Sequence, residues 1–140
     1  MTSAPAVGII GVGTIGRALI AAFEGRTPLH LHDPALPDTR PMADLVARCQ
    51  VVFLCVPTPM GSGEHADVTA VHDAVARFVT SGGAAQGAPI LCVRSAVPPT
   101  TIATVQRAHP GLRLVMAPEF LRQRAAISWL HRPIAPRELL

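Results

Sequence analysis

Apolar residues fall along this chain in short dense runs, separated by stretches whose apolar positions have helical spacing. Residues 6–10 (AVGII) form a compact, branched run of strand length. Ile15, Leu19, Ala22 and Phe23 then share one helical face, and Gly25 closes that helix. A second run, residues 29–31, leads to Asp33, after which the chain is rich in proline up to Pro41. Met42, Leu45 and Val46 make a short helical stripe. Residues 51–56 (VVFLCV) are the clearest buried strand, apolar on both faces as parallel strands are. Pro57, Thr58 and Pro59 end it, and a polar loop leads to Asp67, which suits a helix N-cap. Val68, Val71, Val75, Phe78 and Val79 are the inner stripe of the next helix, which Gly82 and Gly83 stop. Residues 90–93 are another strand, and Pro98 and Pro99 suit the first turn of a helix carrying Ile102 and Val105 inward. Residues 112–116 form a further strand; a short helix, Trp129 and a last strand candidate near residues 133–135 follow.

Strands alternating with helices predict an α/β fold: a doubly wound, mostly parallel, Rossmann-like sheet with helices on both faces. Only residues 34–49 separate Asp33 from Gln50, too few for a full helix and another full strand. The third-strand region is therefore expected to be shortened or missing. No repeat and no domain boundary interrupts residues 1–140, so one domain is expected, with no second domain.

The first strand runs into Gly11, Gly13 and Gly16, spaced G-x-G-x-x-G, and a helix opens at once. Each glycine has a distinct task in dinucleotide binding: the tight turn, the approach of backbone to pyrophosphate, and close helix–strand packing. The helix start adds free N–H groups and about half a positive charge. Gly11, Gly13, Thr14, Ile15 and Gly16 are thus candidate cofactor-binding residues. Asp33, about 20 residues beyond the glycines, ends the second strand, where a carboxylate accepts hydrogen bonds from the adenosine ribose and repels a 2′-phosphate. NAD is therefore favoured over NADP. Asp33 also reads as an Asp-Pro turn residue, and the two roles are compatible.

Composition narrows the alternatives. The chain is 49% hydrophobic, which excludes general disorder. No apolar run approaches the roughly 18 residues that span a bilayer, and the first five residues do not read as a signal peptide, so a cytoplasmic chain without a membrane partner is expected. All 12 basic residues are arginine, which leaves no lysine to act as acid, base or phosphate anchor. Residues 113–140 hold five of these arginines against Glu119 and Glu138, but no aromatic interleaving or nucleic-acid motif accompanies them. Nucleic acid is not an expected partner. Cys49, Cys55 and Cys92 share no metal spacing; Cys55 and Cys92 sit in apolar runs and are expected as small buried hydrophobes.

In a sheet of this kind ligands bind beyond the carboxyl ends of the strands. Four segments deliver polar groups there: the glycine loop, Thr58, Ser95, and Glu119 with Arg122. Taken in order, VGIIGVGTIG, VVFLCVPTP with Asp67 following, VRSAVPPTT and APEFLRQRAA resemble the N-terminal NAD domain of the UDP-glucose/GDP-mannose dehydrogenase family. Members oxidise the C6 hydroxyl of a nucleotide sugar to a carboxylate in two NAD-dependent steps. The resemblance implies that Thr58 and Ser95 line the nicotinamide side. It also implies that Glu119, Phe120, Leu121 and Arg122 line the substrate side, with Glu119 a candidate catalytic acid/base.

The departures carry weight too. The family pattern K-S-T-V-P reads Arg94-Ser95-Ala96-Val97-Pro98, which removes a threonine hydroxyl, and P-E-F-L-R-E-G reads PEFLRQR, with Gln123 for the second glutamate. The family's nucleophilic cysteine, lysine and asparagine have no counterparts here. Three functions from different classes follow. The first is the NAD-binding part of a nucleotide-sugar dehydrogenase, catalytically incomplete alone and completed by a further domain or a partner chain. The second is a non-catalytic NAD-binding regulatory module. The third is a minimal enzyme of another Rossmann type, which lacks a convincing base.

Overall fold

The apolar runs become parallel strands of three or four residues, largely apolar on both faces where helices cover the sheet, while the second strand, at the edge, alternates Leu and His. The computed structural model describes residues 5–59 and 66–118. Within them lie β1 (Val7–Ile10), α1 (Thr14–Phe23), β2 (Leu29–His32), α2 (Met42–Arg48), β3 (Val51–Leu54), α3 (Thr69–Phe78), β4 (Ile90–Val93), α4 (Pro99–Ala108) and β5 (Leu114–Met116). Every pairing is parallel, in the order β2-β1-β3-β4-β5. The registers run straight across, with Ile9 opposite Leu31 and Phe53, and Phe53 opposite Cys92.

No strand lies between β2 and α2, so the third strand is missing and β2 forms an edge of the described sheet. Other limits move by one or two residues. β3 stops at Leu54, and β5 starts at Leu114 rather than at residue 112. The N-cap of α3 is Val68; Asp67 stands one residue earlier, yet its Oδ1 accepts the Thr69 N–H at 2.9 Å. Thr69 holds the Asp67 carboxyl below its usual range. Pro99 opens α4 as its pattern predicts. α3 runs into a π-type turn, Val79–Gly83, where Gly82 reaches φ +99° and ends the helix. The expected short helix, Trp129 and the strand candidate near residues 133–135 lie outside the described residues.

Side-chain alternation sorts the strands into two faces. Val52, Leu54, Leu91 and Val93 join Leu45 of α2, Val71, Val75 and Phe78 of α3, and Val105 of α4 in the main core. Gly8 of β1 faces the same way, and a Cβ there would stand 3.1 Å from Leu45 and from the Cys49 sulfur, so the missing side chain lets α2 settle on the sheet. The opposite face belongs to α1, whose Phe23 stacks on Phe53 of β3 at 5.8 Å between ring centroids. Among the described residues the helices thus flank the sheet unequally, one against three.

His30, on β2, has its Nδ1 buried without a hydrogen-bond partner. Burial lowers its pKa below 6.5, Arg40 and Arg48 lower it further, and Asp44 opposes them. The unfolded chain therefore takes up a proton that the folded chain resists. Stability is at its full value above pH 6.5 and falls as the pH drops below 6.5 toward the depressed folded value. Urea titrations at pH 7.5 and 5.5 should show a lower midpoint at the acid pH, and His30→Gln should shrink the difference.

Candidate functional site

The carboxyl ends of β1, β3 and β4 part around a cleft of about 620 Å³. Its walls take Gly11, Gly13, Thr14 and Ile15 from the β1–α1 turn, Asp33 from the end of β2, Thr58 from the loop after β3, and Ser95 from the loop after β4. Residues far apart in sequence therefore converge as the strand-end argument predicts. Gly16 does not line the cleft; it is buried beneath it. Glu119, Phe120, Leu121 and Arg122 lie outside the described residues. The chain reaches them from Pro118, two residues past the carboxyl end of β5.

The three glycines differ in what surrounds them. Gly11 has φ +92°, and a Cβ on it would stand 2.9 Å from the Cys55 carbonyl group. A Cβ on Gly16 would overlap the Gly11 carbonyl oxygen. Both are fixed by the fold itself: β1, β3 and the start of α1 touch through bare backbone. Around Gly13 nothing lies within 4 Å of a Cβ position, and its backbone is extended, at φ −94° and ψ −151°. Only an incoming group needs a glycine there. The first hydrogen bond of α1 runs from Arg17 N–H to Gly13 carbonyl at 2.9 Å. The N–H groups of Thr14 and Ile15, which line the cleft, and of Gly16 beneath them precede that ladder and point out of the helix start. They are suited to an anion such as a pyrophosphate, to which the helix dipole adds attraction.

Asp33 closes the cleft from the β2 side. Its Oδ2 accepts the Val12 N–H at 2.9 Å, which ties the carboxylate to the glycine turn, and its Oδ1 accepts the Ala35 N–H at 2.9 Å. Asp33 is therefore a turn residue and a cleft residue at once. Each oxygen keeps lone-pair capacity, since an ionised carboxylate offers about four acceptor sites. The Ser95 hydroxyl donates to the Val56 carbonyl at 2.7 Å and is 7% exposed, so it fastens the β4 loop to the end of β3. It can still accept one more hydrogen bond. Thr58 is half-buried at the rim.

Cys55, expected inside the sheet, instead follows the end of β3 and lines the cleft, half-buried. The strand ends earlier than its apolar run because β1, its partner, turns away at Gly11. Cys92 is buried as expected, and burial raises its pKa against the opposing charge of Arg94. Cys49 is buried and pushed up to about 11. Ala96, standing where the family pattern has threonine, is exposed in the cleft wall, as the VRSAVPP signature allows. Val12 was not among the residues singled out from sequence. Its part is a backbone N–H, which no side-chain pattern marks.

A sequence model described as the UDP-glucose/GDP-mannose dehydrogenase family, NAD binding domain, matches residues 30–133. That span takes in Asp33, Thr58, Ser95 and residues 119–122, while the glycine turn precedes it. No curated protein matches the sequence. Among solved structures, a GDP-mannose dehydrogenase from Pseudomonas aeruginosa aligns with a TM-score of 0.70 at 19% identity, covering 87% of this chain and 38% of its own. A UDP-glucose dehydrogenase from Pyrobaculum islandicum aligns with 0.70 at 20% identity, covering 93% and 39%. A 3-hydroxyisobutyrate dehydrogenase from Mycobacterium tuberculosis gives 0.69 at 17% identity, covering 89% and 44%. At these identities the structural likeness establishes the fold, and this chain spans about two fifths of the length of each.

Two glycine variants should separate the architecture from the site. Gly13→Val should leave the urea midpoint nearly unchanged, because no protein atom meets the new side chain, yet abolish binding of NAD in calorimetry. Gly16→Ala should lower stability by about 1–3 kcal/mol or more through overlap with the Gly11 carbonyl. Normal NAD binding by Gly13→Val would mean that the glycines serve the turn alone.

Proposed function

Because this chain belongs to the UDP-glucose/GDP-mannose dehydrogenase family, as its NAD-binding domain, we propose that it presents NAD to a nucleotide sugar whose primary alcohol is oxidised to a carboxylate. The observation that carries the proposal is the convergence of the glycine turn, Asp33, Thr58 and Ser95 on one cleft with an open place at Gly13. NAD, when bound, accepts a hydride from the carbon that bears the alcohol.

The chain's own residues divide the remaining work. The first-turn N–H groups of α1 hold the pyrophosphate, and the Asp33 carboxylate accepts from the ribose hydroxyls. Thr58 and Ser95 border the nicotinamide side, with Ser95 held in place through Val56. Glu119 is the candidate acid/base, and Phe120, Leu121 and Arg122 are the candidate contacts to the sugar nucleotide. Selection of NAD over NADP follows from charge, since a 2′-phosphate would meet the Asp33 carboxylate.

Residues 1–140 supply a cofactor site and not a complete dehydrogenase. The second oxidation in such chemistry proceeds through a covalent thioester, which needs a positioned, ionised thiol. Burial raises the pKa of Cys49 and Cys92 and removes both from reach. Cys55 stands in the wall of the cofactor cleft, in the space assigned to the dinucleotide. A further domain or a partner chain completes the reaction. Ala96 favours a second reading, an NAD-responsive binding module, since the cleft there ends in a methyl group where the family pattern has a hydroxyl.

NAD at one hundred times its dissociation constant should add about 2.7 kcal/mol of stability, a rise of roughly 5 °C or more in melting temperature. NADP at the same concentration should give a much smaller shift; equal shifts would remove Asp33 from its role. Residues 1–140 supplied with NAD and a panel of UDP- and GDP-sugars should yield no sustained NADH absorbance. Steady formation of a uronic acid would show that the domain is catalytically complete.

A further inference from the structure

The segment between β2 and α2 replaces a strand by a closed loop. Arg40 N–H donates to the Leu31 carbonyl at 2.7 Å, so the chain returns to the edge of β2 after eight residues of excursion or fewer, a small Ω-like loop. The His32 ring Nδ1 lies 2.7 Å from the Arg40 carbonyl oxygen and fastens the same junction. Within the loop the N–H groups of Leu36 and Thr39 donate to the Asp33 and Leu36 carbonyls at 2.9 and 3.3 Å, and one hydroxyl bridges the same groups. Thr39 Oγ1 accepts the Asp33 N–H at 3.0 Å. It also lies 2.9 Å from the Asp33 carbonyl oxygen and 2.8 Å from that of Leu36, one of which takes its single proton. Thr39 is half-buried while residues 34–38 are exposed.

Asp33 is thus held from both sides. Its carboxylate is bound to Val12 and Ala35, its N–H is bound by the Thr39 hydroxyl, and its carbonyl accepts the Leu36 N–H at 2.9 Å with the Thr39 hydroxyl beside it. Pro34 and Pro37 contribute no N–H, and the Ala35, Leu36 and Thr39 N–H groups all donate, which leaves the Asp33 N–H to the Thr39 hydroxyl. We propose that Thr39 is a positioning residue for cofactor selection: its hydroxyl fixes the backbone of Asp33, and so the aim of the carboxylate toward the ribose diol. The proposal rests on the reading of Asp33 given above. Removing the hydroxyl frees the Asp33 N–H and slackens the turn. The carboxylate then loses its hold on the NAD diol, and its repulsion of a 2′-phosphate relaxes. Affinity for NAD falls, and affinity for NADP does not fall with it.

The test compares NAD and NADP dissociation constants, by calorimetry, for the chain as it stands and for Thr39→Val, Thr39→Ser, Thr39→Ala and Asp33→Asn. Melting curves are recorded for each. Thr39→Val keeps the volume and removes the hydroxyl; Thr39→Ala removes the hydroxyl with a smaller, unbranched side chain, should valine prevent folding. Loss of about one well-placed hydrogen bond should weaken NAD about tenfold and reduce the NAD-over-NADP preference by about the same factor. Thr39→Ser, which keeps the hydroxyl, should retain the preference. If NAD and NADP weaken equally, or neither changes while Asp33→Asn abolishes the preference, Thr39 is structural only and the proposal is overturned alone. If the unaltered chain shows no preference, or Asp33→Asn leaves it intact, the reading of Asp33 fails and the proposal falls with it.

Discussion

Three backbones meet at one point in this molecule. The Gly11 carbonyl lies where a Cβ of residue 16 would stand, and the Cys55 carbonyl lies 2.9 Å from where a Cβ of residue 11 would stand. That contact brings the start of α1 against the ends of β1 and β3 without intervening side chains. The rest of the site takes its position from it. α1 is aimed so that its unbonded N–H groups face the cleft, and β3 is cut at Leu54, so Cys55 to Thr58 become wall rather than sheet. The Val12 N–H, two bonds along from the contact, turns toward Asp33 and brings the end of β2 into the same site. A side chain at Gly16 would push the helix from the end of β1, and one at Gly11 would push β1 from the end of β3.

The sheet was legible because its signal is local. Runs such as VVFLCV state burial on both faces in six letters, and the glycine spacing states a turn and a close packing. Even the missing strand could be inferred by counting residues between Asp33 and Gln50. What escaped was set by distant partners. The Asp33 carboxylate is bound to a backbone N–H 21 residues away, and the Ser95 hydroxyl to a carbonyl 39 residues away. Backbone groups carry no letter in a sequence, so neither bond has a signature. Cys55 was misplaced for a related reason. Its apolar neighbours say strand, but the strand lasts only as long as its partner β1, and β1 ends at Ile10. The displacement of the α3 cap from Asp67 to Val68 is the same effect at smaller scale, a boundary fixed by the start of the helical ladder rather than by the best capping residue.

The loss of the third strand also shapes the site. β2 becomes an edge, and edges leave backbone groups to be satisfied otherwise. Here the return of Arg40 to Leu31 and the bonds of Thr39 do that locally, within one short loop. The consequence is that Asp33, the residue proposed to meet the ribose, sits on a self-contained turn, supported by its own loop and by Val12 rather than by a neighbouring strand. The proposed selectivity for the cofactor and the closure of the sheet edge thus draw on the same short loop.

The glycine turn itself separates what folding requires from what binding requires. Gly11 and Gly16 are explained from inside the protein: a positive φ at one, and carbonyl groups pressed against both. Any fold with this strand–helix packing would need them, whatever it bound. Gly13 is different, because its backbone conformation suits any residue and no atom lies within 4 Å of its absent side chain. Its space opens into the cleft beside N–H groups that no part of the helix satisfies. A glycine with no internal reason, next to donors with no internal partner, is what a bound anion would leave in a sequence. A pyrophosphate at this place would be marked less by the three-glycine pattern as a whole than by the one glycine the fold could have done without.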